Sequence, residues 1–288
     1  KIMTDFGMPV WVKNLLKKPL NIADYSSEEI RELKQKLSRF RVDNPLVSMV
    51  IPAWNEEFGI LHTLWSLANS DLKYPTELII VDNNSTDGTS NLLHDLGIKT
   101  VSETKQGVGH ARTTGLAIAQ GKYVLTGDSD TLYPPQWINL MTDAFQSSDD
   151  KPVYCVHSTY SFIPEKTGQR WMYGIYELMS SFISKRKEKN EPYLNVYGFY
   201  MGFEAQKGRE VNGYDIEVQR TFRGTVGQLE TNATEDGMMA LRLMQAGGKI
   251  KAVHDSKAKV WTSDRRIQLD GGIVNAFKIR FKKYLSRK

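Results

Sequence analysis

Two carboxylates, Asp128 and Asp130, stand one residue apart where a short apolar run gives way to the polar turn Gly127-Asp128-Ser129-Asp130. In an extended segment, side chains at i and i+2 point the same way. Carboxylate oxygens are hard ligands, so the pair suits Mg2+ or Mn2+, and a cation held there would neutralise a departing phosphate. A solvated Asp-Ser-Asp turn is the other reading, and an isolated Asp-x-Asp is a weak motif. A second group, Lys105, Gly107 and Arg112, offers cations beside a glycine that lets backbone approach a phosphate closely. Taken alone it reads equally as a surface loop before a helix. It matches neither the Walker A spacing nor the dinucleotide fingerprint. Thr234-Glu235-Asp236 places acids at the start of a predicted helix, where they complement the helix dipole.

These groups need a frame that carries them to one place. Ser26 and Glu29 have capping-box spacing, and the helix they open presents Ile30, Leu33, Leu37 and Phe40 on one face. Asn44-Pro45 ends it. Short apolar strands are then predicted at 46–52, 77–81, 98–102, 122–126 and 153–157, alternating with helices at 56–69, 89–96, 109–119 and 134–145. Such alternation implies an α/β fold with a mostly parallel sheet covered on both faces. Ligands bind such sheets beyond the carboxyl ends of the strands. The first strand delivers Pro52, Ala53, Asn55 and Glu56 to that rim, and the second delivers Asp82 and Asn84. The third brings Lys105, Gly107 and Arg112, and the fourth Asp128, Ser129 and Asp130.

After residue 160 the rhythm changes. A long aromatic helix is predicted over 169–185, followed by an aromatic segment, 193–203, and a polar stretch, 204–233. A helix at 235–246, one or two strands within 249–261 and a terminal basic helix complete the chain. Trp171, Tyr173, Tyr176, Tyr193, Tyr197, Phe199 and Tyr200 read either as core or as a platform for sugar rings.

Composition narrows the class. The 288 residues are 40% hydrophobic and 25% charged, which fits one large α/β domain or two small ones. The net charge of +5 suits phosphate-bearing ligands or an anionic membrane surface. It is too weak and dispersed to indicate nucleic acid. No apolar run is long enough to span a bilayer, and residues 1–20 lack the pattern of a signal peptide. The single cysteine, Cys155, lies in an apolar run and reads as a small core residue, which fits a reducing, cytoplasmic location.

The segments Val47–Glu57, Ile79–Thr89, Gly109–Gly115, Gly127–Asp130, Val211–Asp215 and Thr234–Asp236 follow one another in an order and spacing that resembles family 2 glycosyltransferases. The resemblance covers roughly residues 46–265. It implies a GT-A fold, meaning a Rossmann-like, mostly parallel sheet flanked by helices with a C-terminal acceptor-side subregion. It further implies a nucleoside diphosphate sugar donor (UDP by family habit), Mn2+ or Mg2+, and inversion at the anomeric carbon. Carried over by position, Pro52, Ala53, Asn55, Glu56 and Asp82 would line the base and ribose pocket, with Asn84 and Ser129 contributing. Lys105, Gly107 and Arg112 would lie beside the nucleotide. Asp128 would face ribose or metal, Asp130 would bind metal, and Asp236 would be the general base with Glu235 in support. Trp261–Arg266 resembles a late family segment. Its Arg265 and Arg266 either touch the diphosphate or acceptor, or sit in a solvated turn. His254 either completes the metal shell or is structural.

The implied organisation is an N-terminal extension, 1–45, a catalytic domain, 46–265, and a basic amphipathic helix, 266–288. The catalytic domain divides into a nucleotide-sugar half, 46–157, and an acceptor half, 158–265, with 215–235 as an acceptor loop. In the terminal helix Ile273, Phe277, Phe281 and Tyr284 share a face flanked by Lys278, Arg280, Lys282, Lys283, Arg287 and Lys288. That helix either lies on an anionic membrane, at the inner face of the plasma membrane, or packs on the domain. A saccharide or lipid-linked acceptor, in polysaccharide or glycolipid biosynthesis, fits these features. Two other classes remain open: a non-catalytic nucleotide-sugar-binding relative, and a sugar nucleotidyltransferase. The latter needs a glycine-rich basic loop where Pro52–Glu57 carries acids.

Overall fold

The computed structural model describes residues 7–147, 150–165, 169–214, 219–221, 224–226, 234–269 and 271–278. Helix α1 (Val10–Leu15) is followed by α2 (Ser27–Leu37), whose capping box forms: the Ser26 hydroxyl accepts from Glu29 N, and the Glu29 side chain accepts from Ser26 N. Then come β1 (Val47–Ala53), α3 (Ile60–Ala68), β2 (Thr76–Asp82), α4 (Thr89–Asp95), β3 (Lys99–Ser102), α5 (Val108–Ile118) and β4 (Tyr123–Thr126). A two-residue strand β5 (Thr131–Leu132), α6 (Trp137–Phe145), β6 (Val153–His157) and β7 (Tyr160–Ile163) lead to the 21-residue helix α7 (Arg170–Asn190). The second half contains β8 (Met201–Glu204), α8 (Ala205–Glu210), the strand pair β9 (Gln219–Thr221) and β10 (Gly224–Val226), and α9 (Glu235–Gln245). It closes with β11 (Lys249–Ala252), β12 (Val260–Ser263) and α10 (Arg265–Leu269).

Seven strands form the main sheet in the order β11-β6-β8-β4-β1-β2-β3. β3, β2, β1 and β4 are mutually parallel, as are β11 and β6. β8 is antiparallel to both β4 and β6 and joins the two groups. Gly202 permits that insertion: a Cβ there would fall 2.4 Å from Leu125 Cδ2. A smaller sheet, β5-β12-β7, lies beyond the first. This mostly parallel sheet flanked by helices is the expected α/β architecture. The aromatic reading of 193–203 did not anticipate that its last residues are a sheet strand.

Period-two alternation divides the core between the faces. Met49, Ile51, Leu78, Ile80 and Leu125 pack with Leu33, Leu37, Leu61, Leu64 and Trp137 from α2, α3 and α6. Val50, Ile79, Val81 and Val124 point the other way, onto Ala111 and Leu116 of α5 and Met239, Ala240 and Leu243 of α9. Burial on both faces explains why the strands read as continuous apolar runs. Residues 7–45 belong to the first cluster through Val12, Leu15, Tyr25 and Phe40, and Lys18 Nζ lies 3.9 Å from the ring centroid of Trp65. They brace α3.

Boundaries moved where local chemistry overrode pattern. α3 begins at Ile60 rather than residue 56, because Asn55 is in the left-handed region (φ 52°) and the next residues bond the following loop. α7 runs on to Asn190, past the expected end at 185. The terminal helix is not continuous: Gly271 and Gly272, at φ 87° and 86°, break it between α10 and helical residues 273–278. Within the described part of the tail, Ile273, Ala276 and Phe277 pack against Tyr173, Tyr176 and Ile267. Arg280, Phe281, Lys282, Lys283, Tyr284, Arg287 and Lys288 lie outside the described residues, as do Asp215 and most of the acceptor-loop stretch. Among the described residues no helix is long and apolar enough to cross a membrane.

Candidate active site

A cleft of about 680 Å3 opens at the carboxyl ends of β1 and β4 and runs toward α7. That size suits a nucleotide-scale ligand. One wall is Pro52, Ala53, Trp54, Glu56, Asn83 and Val108, the floor is Asp128, Ser129 and Asp130, and Arg265 and Arg266 stand at the edge. The opposite wall is aromatic, with Tyr160, Tyr176, Tyr193, Tyr197, Phe199 and Tyr200 among its residues. Their rings touch one another: Tyr160 stacks on Tyr200 at 5.4 Å between centroids and meets Phe199 edge-on at 5.2 Å. Two of the seven aromatics singled out in the sequence lie elsewhere. Trp171 is on the outer face of α7, and Tyr173 is buried with its hydroxyl on Asp264. Tyr160 and Phe162 joined the wall without a sequence signal, since β7 is short and unremarkable in pattern.

The loops after β1 and β2 are tied together. Asn55 N donates to Ser85 Oγ (3.0 Å), Thr86 N to Asn55 Oδ1 (2.8 Å) and Gly88 N to Glu57 Oε2 (3.0 Å). Asp82 accepts from Ser85 N at 3.1 Å, and Asn84, exposed at φ 62°, takes the left-handed turn that asparagine tolerates. Asn55, Asp82 and Asn84 therefore shape the rim, and none of them lines the cleft. Asn83 does more than the sequence suggested. Its Nδ2 donates to Glu103 O and Lys105 O, and its Oδ1 accepts from Gly107 N at 2.8 Å. This one buried amide sets the 103–107 loop, leaving Lys105 exposed and Gly107 at the start of α5.

The Asp128–Asp130 turn is anchored through its backbone. Asp128 N donates to Tyr133 Oη (3.0 Å), Thr63 Oγ1 to Ser129 O (2.7 Å) and Ser263 N to Asp130 O (3.3 Å). That leaves the carboxylates to charge partners. Arg265 bridges Asp130 Oδ2 and Glu56 Oε1, each at 3.2 Å. Asp130 is pushed up to about 7, first by burial and then by Asp128 and Glu56, with Arg265 opposing. Burial also raises Glu56. Glu56 and Asp130 thus share one arginine, an arrangement of partly buried acids that suits a cation. Hard cations that work with phosphates need only one or two protein carboxylates, the phosphates supplying other oxygens. Asp130 and Asp128 fit that role. Among the described residues no three His, Cys, Asp or Glu side chains converge to hold a metal ion. His254 is not drawn into the carboxylates: its Nε2 lies 3.0 Å from Glu188 of α7.

Arg112 occupies a different place from that expected. It is absent from the cleft wall and lies buried beneath it, with Nη2 on Asp128 Oδ1 (2.9 Å) and Nη1 on Asp236 Oδ1 (2.6 Å). Asp236 Oδ2 accepts from Gly198 N at 2.7 Å. A Cβ at residue 198 would fall 2.1 Å from Arg112 Cζ, so only glycine admits the guanidinium there. No sequence pattern marked Gly198. Thr234 caps α9 by accepting from Gly237 N (3.1 Å) and reaches the cleft wall, whereas Asp236 is 4% exposed and Glu235 lies 3.9 Å from Arg112. Burial first and Glu235 next push Asp236 up to about 6 against the pull of Arg112 and Gly198 N. The pair still carries both charges at neutral pH, because arginine does not deprotonate.

Removing Arg112 strands two carboxylates. Arg112→Ala is expected to cost about 3 kcal/mol or more in urea unfolding, and adding Asp236→Asn should recover part of it. Equal midpoints for wild type and Arg112→Ala would mean the guanidinium does not hold this floor.

A parallel-sheet rim that presents paired acids, arginines and a nucleotide-sized cleft fits the expected GT-A fold. A family model described as Glycosyl transferase family 2 matches residues 48–207, more than half of the chain, and the chain belongs to that family. Chondroitin synthase of Escherichia coli is 29% identical over 150 residues, covering 48% of this chain and 21% of that one. Glucosyl-dolichyl phosphate glucuronosyltransferase of Haloferax volcanii is 24% identical over 198 residues, 65% of this chain and 58% of that one. The chain therefore spans less than two thirds of either relative. Among solved structures, a mannosyltransferase from Pyrobaculum calidifontis in complex with GDP-Man and Mn2+ aligns with TM-score 0.51 at 20% identity, covering 87% of this chain and 61% of that one. S. aureus TarS in complex with UDP-GlcNAc aligns with TM-score 0.53 at 18% identity, covering 75% and 58%. These likenesses establish the fold.

Proposed function

We propose that this chain transfers a sugar from a nucleoside diphosphate sugar, UDP-sugars first among them, to a hydroxyl of a saccharide or lipid-linked acceptor. The transfer proceeds with inversion and with Mn2+ or Mg2+ bound, in polysaccharide or glycolipid synthesis at the cytoplasmic side of the membrane. The observation that carries this reading is the acidic rim, where Glu56 and Asp130 share Arg265 with Asp128 next to them, beside a cleft of about 680 Å3. Family membership and the ligands named for the GDP-Man and UDP-GlcNAc complexes support it.

Pro52, Ala53, Glu56 and Ser129 are the walls for base and ribose, with Asn55, Asp82 and Asn84 acting through the loops they shape and Lys105 and Gly107 beside the nucleotide. Asp130, with Asp128, would hold the cation, which would supply positive charge to offset that building on the departing diphosphate. His254 is assigned to Glu188. Arg265 exchanges its carboxylates for the diphosphate when donor enters, with Arg266 beside it. The acceptor oxygen attacks C1 on the face opposite the diphosphate. The C1–O bond breaks with its electrons leaving on the nucleoside diphosphate, and the hydroxyl proton passes to Asp236. Each Asp236 oxygen retains a lone pair beyond the Arg112 and Gly198 bonds. Burial first, and Glu235 next, keep that base above the ordinary carboxylate range.

Because Asp236 titrates near 6, kcat should fall about tenfold per unit below pH 6 and level off above it. A flat profile from pH 5 to 8 would remove Asp236 as the base. The activity itself is tested by nucleoside diphosphate release from a panel of donors with Mn2+, with saccharide and polyprenyl-phosphate acceptors. Proton NMR of the anomeric coupling then reads the stereochemistry. Transfer with inverted configuration supports the reading; retained configuration, or no transfer with any donor that binds, opposes it.

A further inference from the structure

Helix α7 has two faces with different fates. Tyr173 and Tyr176 face inward, and Tyr176, Ser180 and Ser184 line the cleft. Outward, Trp171, Ile175, Leu178, Met179 and Phe182 are 44%, 48%, 61%, 44% and 70% exposed. Their spacings of three, four and seven put them on one stripe of the helix. Among the described residues nothing covers these three turns of large apolar side chains, and the core beneath is already closed by Tyr173, Tyr176, Ile267 and Ile273. Arg186 and Lys189 are exposed at positions that continue the same stripe toward the helix C-terminus, and exposed Lys185 stands between that stripe and the cleft, which it also lines. Beside it, Leu269 and Val274 are 74% and 56% exposed and Lys278 is exposed.

We propose that this outer face of α7 docks on an anionic lipid surface, with Trp171, Leu178 and Phe182 entering the interface and Lys185, Arg186 and Lys189 meeting the headgroups. Apolar side chains rimmed by cations on one stripe match the two-sided chemistry of a lipid interface. A protein partner would be served by the apolar stripe alone. The tail helix is a different element: its described apolar face is spent on α7, so among the described residues the uncovered face is that of α7. Because the inner face of α7 lines the cleft, docking sets the aromatic wall above the bilayer. A polyprenyl-linked acceptor could then reach it without leaving the membrane. The docking claim stands apart from the transferase reading, and binding is measured without turnover.

The test is co-flotation of the full chain with vesicles of about one part phosphatidylglycerol to two parts phosphatidylcholine, against phosphatidylcholine alone. The expected result is binding to the anionic vesicles only, weakened by salt. Leu178→Glu with Phe182→Glu should reduce it about tenfold or more. Lys185→Glu, Arg186→Glu and Lys189→Glu together should reduce it about a hundredfold, near fivefold for each lost cation. All five positions are exposed, and circular dichroism melts check that the fold is kept. Binding that these variants leave unchanged, or that only Lys282→Glu with Lys283→Glu removes, overturns the proposal. So does a dimer in light scattering that the apolar variants convert to monomer while vesicles bind neither form.

Discussion

Asp236→Asn should lower kcat by about a thousandfold while the donor KM stays within about threefold. The amide has the carboxylate's shape but cannot take the acceptor proton as the C1–O bond forms. The proposed donor site is the Glu56–Asp130 rim, which Asp236 reaches only through Arg112 and Asp128, so donor affinity should change little. The substitution also weakens the floor. One amide face must meet the Gly198 N–H or the Arg112 guanidinium with a donor, where the carboxylate accepts from both at 2.7 and 2.6 Å. A stability loss of about 1–3 kcal/mol follows, and the rate is therefore measured on protein verified as folded. A kcat within tenfold of wild type would remove Asp236 from the chemistry and leave it as the clamp for Arg112.

The second large effect has opposite signs in two measurements. Asp130→Asn should abolish metal-dependent donor binding, yet raise the melting temperature of the ligand-free protein by a few degrees. Asp130 titrates near 7 in the fold, against about 4 in an unfolded chain. A carboxyl raised by folding costs nothing below about pH 4, where both states are protonated. The cost grows as pH climbs and is complete above about 7. With its side chain 24% exposed, Asp130 should burden the neutral-pH fold by on the order of 2 kcal/mol, which the amide relieves. The gain should vanish when both proteins are melted at pH 4. Destabilisation at pH 7.5 would show that the Arg265 pair outweighs the repulsion from Asp128 and Glu56. A site that stabilises the fold when its acid is neutralised is one kept for a ligand.

The rim was legible because parallel strands write their function at their ends. The apolar runs ending at Ala53, Asp82, Ser102 and Thr126 fixed which polar residues would gather, and Glu56, Asp128, Ser129 and Asp130 do meet in one cleft. What pattern could not supply was the use each side chain is put to. Asn55 and Asp82 carry ligand-like chemistry but spend it on neighbouring backbone N–H groups. Asn83, beside them in sequence, is the residue that both builds a loop and reaches the cleft. Arg112 looked like a phosphate ligand because it follows a glycine-rich turn. Its helix, α5, points it under the floor instead, to acids 16 and 124 positions away. Contacts of that separation leave no local trace. The break at Gly271-Gly272 was visible as a glycine pair, but the smooth apolar periodicity on its C-terminal side obscured it. The outer stripe of α7 was hidden for a related reason. Its apolar residues face both ways, and only burial separates Tyr173 and Tyr176 from Leu178 and Phe182.

The most direct measurement is a thermal-shift panel of UDP-, GDP- and dTDP-sugars, each with and without Mn2+, on wild type and on Asp130→Asn. A nucleotide sugar that binds only the folded state at a hundred times its Kd raises stability by about 2.7 kcal/mol, a readable shift. The expected result is a Mn2+-dependent rise for one nucleotide class, UDP-sugars first, that is absent in Asp130→Asn. No rise with any donor, while a control transferase responds in the same plate, would contradict the donor site. An equal rise in Asp130→Asn would place the donor away from the carboxylate rim.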